Sequence, residues 1–466
     1  MTSIQAEIRE GEYGDRVLAV EPGGAELIPL SERHGKPLQL FWTWMSPNLE
    51  FATIFVGGIA IVFFGQSFWQ AVLAIVLGTG LGALSHAVLS ARGPVFGVPQ
   101  MVLSRISFGY LGNILPAALN AVTASTGWFA VNSVSGALAL SVLTHWNKVL
   151  CLVIIVAVQL LVAFFGHNLI HVFERYAFPV LAVIFLIATV IIFSKATPGA
   201  VHGTGGLGGF LITLGAAFGY AAGWNPYAAD YSRYFKPTTS KRATAFWAGL
   251  GVFASCVILE SAGAAAATLG GDWALNPTAA FTDSLPSLVA KLTLLAIALG
   301  AVAANVINVY SGAMSFLAMG IRLPLALRRA IVAAAAGTIG FVLALGGLDD
   351  AGHKYETFLL IIAYWIGPWL GVYLTDWYLR RDNRVDGFLF DRKHNPWAGP
   401  AAMLIAIAIS VPLFANQERF KGWVPKHYPA FGDIAFEVGF VLAAVLYFIF
   451  FQLQNDRKSE ELVIPT

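Results

Sequence analysis

The sequence predicts an all-α integral membrane protein of twelve transmembrane helices, arranged as a five-plus-five inverted repeat with broken first and sixth helices. Three observations carry this expectation. Hydrophobic residues make up 57% of the 466-residue chain and charged residues only 12%, with a mean hydropathy of +0.71; the apolar residues lie in repeated long runs, unlike those of a soluble domain. Proline and glycine interrupt two of these runs, and a bilayer tolerates the freed backbone groups only against protein, water or a ligand. A six-residue frame, Asn-x-x-Ser-Gly-Ala, occurs at Asn132 and again at Asn308.

Crossing a membrane takes roughly 20 apolar residues. Runs of about that length fall at 41–65, 67–90, 112–142, 148–166, 173–194, 208–229, 242–269, 287–318, 328–346, 355–378, 397–414 and 432–453. They divide the chain into a cytoplasmic N-terminal segment (1–40), a first five-helix repeat (41–195), a second (196–380), two additional transmembrane helices (381–453) and a cytoplasmic C-terminal tail (454–466). The first 40 residues are polar and mixed in charge, without the basic start, apolar stretch and small-residue cleavage site of a signal peptide, so the first helix is expected to start insertion.

Orientation follows from the basic residues of the loops. Arg92, Arg105, Arg175, Arg233, Lys236, Lys241, Arg242, Arg322, Arg328, Arg329 and the group from Arg380 to Lys393 share one side. Lys148, Lys195, Lys291, Lys354, Arg419, Lys421 and Lys426 form the sparser opposite set. The richer set belongs inside, which places both termini in the cytoplasm and the protein in the plasma (inner) membrane. With 28 basic against 26 acidic residues the net charge is +2, and basic residues confined to membrane-flanking loops exclude a nucleic-acid surface. Cys151 and Cys256 lie within apolar runs as small buried hydrophobes, so neither a disulfide nor a metal site is expected, and no cofactor.

Taking the chain in order, the first run holds Ser46-Pro47-Asn48-Leu49-Glu50 followed by Gly57 and Gly58. Pro47 lacks an N–H and the paired glycines weaken the helix, so Pro47, Gly57 and Gly58 mark its break. Glu50 lies about nine residues past Phe41, on the order of 13 Å along a helix. A carboxylate at that depth is read as a site or coupling residue ahead of an interfacial group reaching water. The loop from Ala91 to Tyr110, rich in glycine and proline, reads as topogenic.

The third run places Trp128 and Asn132 one helical turn apart on one face. They supply an aromatic plate and an amide with both donor and acceptor edges; Gly127, Ser135 and Gly136 suit close helix packing instead. His167 and His171, with Glu174 and Arg175, read as a solvated turn. The sixth run breaks at Gly219, Gly223 and Pro226, with Trp224 and Asn225 at the break, while Asp230 lies beside Arg233 as its expected ion-pair partner. Glu260 in the seventh run is a second intramembrane carboxylate that either titrates or bonds a neighbouring helix. Asp272 and Asp283 fall in a solvated outer loop. Asn305 and Asn308 in the eighth run are costly unless paired, which implies a polar pocket or an interhelical amide network.

The recurring frame is offset by 176 residues, and the same offset carries Asn48 onto Trp224, so the two broken helices also correspond. Five helices per repeat is an odd number, which forces the halves into opposite orientations.

Together, Trp128-x-x-x-Asn132, the segment Gly223-Trp-Asn-Pro-Tyr-Ala-Ala-Asp-Tyr-Ser-Arg-Tyr234, the Arg92-Gly-Pro-x-x-Gly97 loop and Asn305-x-x-Asn308-x-Tyr310-Ser311 resemble the purine/cytosine permeases of the nucleobase-cation symporter family over nearly the whole chain. The resemblance implies an inverted-repeat transporter fold with substrate held near mid-membrane between the first, third, sixth and eighth helices. It implies a flat heterocycle stacked between Trp128 and Trp224, with Asn132 and Asn308 reading its edge. Sodium-coupled relatives carry serine or threonine just before the first asparagine of the eighth helix, where this chain has Ala303 and Ala304. A hard cation wants oxygen ligands, so the expected coupling ion is a proton, with Glu50 and then Glu260 as its carrier.

The expected function is a symporter importing a nucleobase, cytosine or a purine, by alternating access. Its partners are a small heterocyclic substrate, the coupling cation and membrane lipid. A related heterocycle (hydantoin, allantoin, uracil or a thiamine-precursor pyrimidine), with sodium as a coupling alternative, is the rival in the same fold. A channel or non-transporting scaffold is the rival from another class, although a channel wants a repeated ring of pore-lining groups that this sequence lacks. An enzyme is not expected, because no nucleophile–base set, metal-ligand spacing or phosphate-binding loop occurs.

Overall fold

A computed structural model describes residues 4–9, 24–165, 167–321, 325–454 and 458–463. The side chains of His167, His171, Glu174, Arg322, Arg328 and Arg329, used above for turn and orientation arguments, lie outside the described residues. Fifteen helices carry the architecture. They are α1 (Gln39–Met45), α2 (Phe51–Val62), α3 (Phe68–Ser90), α4 (Ile114–Val122), α5 (Phe129–Thr144), α6 (Lys148–Phe165), α7 (His167–Lys195), α8 (Gly206–Ala222), α9 (Ala228–Ser232), α10 (Lys241–Ala267), α11 (Ser287–Ala318), α12 (Leu325–Gly347), α13 (Ala351–Leu379), α14 (Ala398–Phe414) and α15 (Ala435–Gln452).

Among the described residues, eight helices are long and apolar enough to cross a membrane, and the pair Gln39–Asn48 with Phe51–Val62, bent by 57°, makes a ninth. Lys148–Val162, Gly337–Gly347 and Ala398–Phe414 are apolar but shorter; they fall on the fourth, ninth and eleventh expected runs. These three do not reach spanning length over their described residues.

The two interrupted helices differ in kind. Leu49 (ψ 66°) and Glu50 (φ −152°, ψ 175°) leave helical geometry altogether between α1 and α2, so the chain turns. Between α8 and α9 the backbone stays close to helical, with Gly223 at φ −53° and a 3₁₀ turn at Asn225–Tyr227. That break interrupts hydrogen bonding around Pro226 without a bend large enough to split Gly206–Ser232.

Gly57 and Gly58 lie inside α2 and Gly219 inside α8, so these three do not form the breaks expected of them. Their role is contact. A Cβ on Gly57 would sit 1.7 Å from the carbonyl oxygen of Glu260, and one on Gly263 would sit 1.7 Å from that of Ile54. The backbones of α2 and α10 therefore touch, as small residues allow where lipid supplies no hydrophobic drive between helices. On the same logic α3 packs against both α8 and α10, α5 against α11, and α13 against α15.

The tails join on one face. Ile4–Gln5 (β1) pairs in parallel with Leu462–Val463 (β2), and the segment after Gly24 runs under the ends of α9 and α11, where Arg233 donates to the Gly24 carbonyl at 2.8 Å. Arg33 donates to the carbonyls of Ile28 and Pro94. Burial, with Arg233 adding repulsion, pushes its guanidinium down to about 10.

Candidate substrate site

The two interrupted helices meet at their breaks. The indole N–H of Trp224 donates to Oδ1 of Asn48 at 2.8 Å, and the Asn48 amide N–H donates to the Trp44 carbonyl at 2.7 Å. Asn48 is thereby held from its own helix and presents one acceptor to the other. The free end of α2 is capped by Glu50, whose Oε2 accepts the Ala52 N–H at 2.7 Å, as an acidic residue does at an exposed helix N-terminus. Its Oε1 accepts from the Tyr220 hydroxyl at 3.0 Å. Thr53 Oγ1 lies 2.5 Å from both the Asn48 carbonyl and the Tyr220 hydroxyl, and Tyr355 donates to the Ala52 carbonyl at 2.7 Å.

Trp128 ends a π-helical turn at Thr123–Trp128, where the apolar run predicts ordinary helix. Such an insertion shifts the register of a helix and is frequent at functional sites. The ring stands edge-to-face with Tyr220 (5.3 Å, 89°) and Phe358 (5.0 Å, 82°). It also lies against Gly223, where a Cβ would be 3.0 Å from its Cζ2. Trp224, one residue on, faces Trp44 at 5.9 Å and Tyr227 at 5.7 Å. Both tryptophans are buried. A cavity of about 230 Å³ lies next to Trp128, reaching its neighbour Gly127 and walled by Phe51, Phe55, Val131, Ser135, Tyr355 and Phe358.

The asparagines of α5 and α11 form one network, with unequal members. Asn305 donates to the Phe129 carbonyl at 2.8 Å and to Ser133 Oγ at 3.2 Å, and its oxygen accepts from Asn132 at 3.0 Å and from Asn308 at 3.2 Å. Two donors and two lone pairs exhaust an amide. Asn305 is therefore an interhelical hub with nothing left to offer a ligand. The side-chain oxygens of Asn132 and Asn308 are buried without a hydrogen-bond partner, a costly condition for a polar atom unless something else completes it. Behind the hub, Ser133 donates to Gln159, which donates to the Ala301 carbonyl.

Other expected site residues fall elsewhere. Asn225 turns its amide to Ser85 on α3 at 2.6 Å, away from Trp128. Glu260 is buried between α10 and α3, accepting from Thr79 at 2.8 Å. Ala303 and Ala304 are buried on α11. Asp230 Oδ1 accepts the Gln100 N–H at 2.9 Å, while Arg233 Nε reaches the Asp230 backbone carbonyl at 3.2 Å. Thr53, Tyr220 and Phe358 are not site candidates in the sequence, and Asn48 is marked there only as the repeat mate of Trp224. Tyr220 leaves a weaker signal, four residues before Trp224 and so on its helical face.

A model of the permease family for cytosine/purines, uracil, thiamine and allantoin matches residues 27–439. The chain is 30% identical over 456 residues to a putative purine-cytosine permease of Bacillus subtilis, covering 95% of this chain and 98% of the relative. It is 27% identical over 455 residues to a purine-cytosine permease of Emericella nidulans, covering 92% and 88%. Among solved structures, a nucleobase-cation-symport-1 family transporter in a closed conformation with bromovinylhydantoin bound superposes with a TM-score of 0.73 at 21% identity, covering 91% of this chain and 93% of that one. That likeness is one of fold.

Proposed function

The chain belongs to the family of permeases for cytosine/purines, uracil, thiamine and allantoin, and from that membership we propose that it is a secondary-active symporter importing a nucleobase, cytosine or a purine, with a proton as coupling ion. Membership makes it an integral membrane transporter and not an enzyme.

The observation that carries the substrate reading is the pair of open acceptors, Asn132 Oδ1 and Asn308 Oδ1, beside the buried Trp128. A flat ring stacks on an indole whatever its edge pattern, whereas two buried acceptors select a ring edge that presents N–H groups and penalise one that does not. Cytosine and the purines present such edges. So do hydantoin, allantoin, uracil and thiamine-precursor pyrimidines, which form the second reading because the same two acceptors suit them. Trp224 closes the slot from the sixth helix in this reading, and Asn305 positions the two amides that touch substrate.

Alternating access rests on the inverted repeat (41–195 and 196–380). Two side-chain hydrogen bonds support it: Trp224 to Asn48 and Asn305 to the Phe129 carbonyl each join residues 176 apart, the offset of the repeated frame. Mates related by a pseudo-twofold axis touch each other only beside that axis. All twelve apolar segments cross the membrane in this arrangement, the three short ones included, with 381–453 outside the repeat. Both tails lie in the cytoplasm, on the side where their strands pair.

Proton coupling is supported by the methyl groups of Ala303 and Ala304 where hydroxyl ligands would serve sodium, together with the two buried carboxylates, Glu50 and Glu260. The test is uptake of labelled cytosine, adenine, uracil and hydantoin by Trp128→Ala and Asn132→Ala at matched surface expression. Loss of uptake for one base class supports the slot; full uptake by both variants sinks it.

A further inference from the structure

Three contacts in a row run from Glu50 to the break in the first helix. Glu50 Oε1 to the Tyr220 hydroxyl is 3.0 Å, Tyr220 hydroxyl to Thr53 Oγ1 is 2.5 Å, and Thr53 Oγ1 to the Asn48 carbonyl is 2.5 Å. Each is an oxygen–oxygen approach of hydrogen-bond length, and each needs one hydrogen between its oxygens. Tyr220 and Thr53 supply one apiece. With Glu50 as a carboxylate, one of the three contacts has none and two oxygens face each other bare, at 2.5 Å or, between Glu50 and Tyr220, at 3.0 Å. With Glu50 as a carboxylic acid the count closes: the acid donates to Tyr220, Tyr220 to Thr53, and Thr53 to the Asn48 carbonyl, all in one direction.

The opposite edge of the same group pulls the other way. Glu50 Oε2 accepts the Ala52 N–H at the N-terminus of α2, which favours the anion. One carboxyl is thus held between an environment for its charged form and one for its neutral form, the arrangement a carrier of an exchangeable proton requires.

Both ends of the chain touch the slot. The Tyr220 ring stands edge-to-face on Trp128, and Asn48, whose carbonyl receives the last hydrogen bond, holds the Trp224 indole through its side chain. We propose that Tyr220 and Thr53 are positioning residues that transmit the protonation of Glu50 to the Trp128–Trp224 slot, so that the proton binds first and organises the slot for substrate. This rests on the nucleobase and proton reading above. The titratable groups on the elements packed around Glu50 are Tyr220 on α8, Tyr355 on α13, and Cys256 and Glu260 on α10. Tyr355 donates to a carbonyl, Glu260 is engaged by Thr79, and Cys256 makes no hydrogen bond to Glu50 among the described residues, which leaves Tyr220 as the titratable group bonded to Glu50.

The test is equilibrium binding of labelled cytosine and adenine to the purified full chain across pH, with proton-driven accumulation in proteoliposomes. Wild type is expected to bind more weakly as pH rises, because the organising proton is lost. Glu50→Gln keeps a donor toward Tyr220, so it should bind as wild type does at low pH, at every pH, and fail to accumulate substrate against a gradient. Tyr220→Phe keeps the ring on Trp128 but cuts the chain. It should bind about tenfold or more weakly without pH dependence, the effect of one lost buried hydrogen bond, and Thr53→Val should move the same way. Wild-type pH dependence in Tyr220→Phe overturns the inference while leaving the transporter reading intact, as does tight wild-type binding that ignores pH. Binding of neither base by wild type overturns the substrate reading itself.

Discussion

The indole nitrogen of Trp224 lies 2.8 Å from Oδ1 of Asn48, so the break in the sixth helix is fastened to the break in the first by residues 176 positions apart. Trp224→Phe keeps an aromatic plate but leaves the buried Asn48 oxygen unpaired, a cost of about 1–3 kcal/mol. Binding of the preferred base should weaken by about one to two decades, and Asn48→Ala should weaken it comparably. Isothermal titration with both variants checks this, and wild-type affinity in Trp224→Phe would detach the bond from the site.

Asn305 and Asn308 predict opposite phenotypes. Asn305→Ala strips partners from Asn132, Asn308, Ser133 and the Phe129 carbonyl at once, so thermal stability should fall by several kcal/mol, about 1–3 for each buried group left unpaired. Asn308→Ala removes an open acceptor and should lose binding with little change in melting temperature. Thermal unfolding with and without substrate separates the two.

Coupling is read directly in proteoliposomes. Uptake should survive replacement of sodium by choline and collapse when a protonophore dissipates the proton gradient. Strict sodium dependence would mean that backbone oxygens near Ala303 and Ala304 suffice for a cation.

The contact glycines separate packing from sequence tolerance. Gly57→Val drives a side chain into the backbone of α10, where even a Cβ would stand 1.7 Å from an oxygen, and should abolish folded protein on size-exclusion chromatography. Gly346→Ala meets nothing within 4 Å and should leave expression and melting unchanged.

Trp128, Asn132 and Asn308, the residues of the proposed slot, stand out in the sequence because each is polar or aromatic at a depth where such groups are expensive, and the repeated frame ties two of them together. Asn305 looked the same by that criterion, and only its four filled hydrogen bonds mark it as a hub. Gly57, Gly58 and Gly219 read as helix breakers because a glycine in an apolar run carries the same letter whether it loosens a backbone or admits a neighbouring one. Tyr220 and Thr53 gave little away, since a hydroxyl in an apolar run usually bonds its own helix.

Composition and the period of the apolar runs fixed the membrane-helical class, and proline fixed where two helices had to be interrupted, since those properties reside in single residues and their immediate neighbours. The tertiary structure alone decided that one break bends by 57° and the other does not, that α2 and α10 touch through glycine, and that a chain of hydroxyls joins Glu50 to Asn48. Those facts depend on which side chain stands within 3 Å of which, and residues 167 to 176 positions apart acquire that relation only when the helices pack.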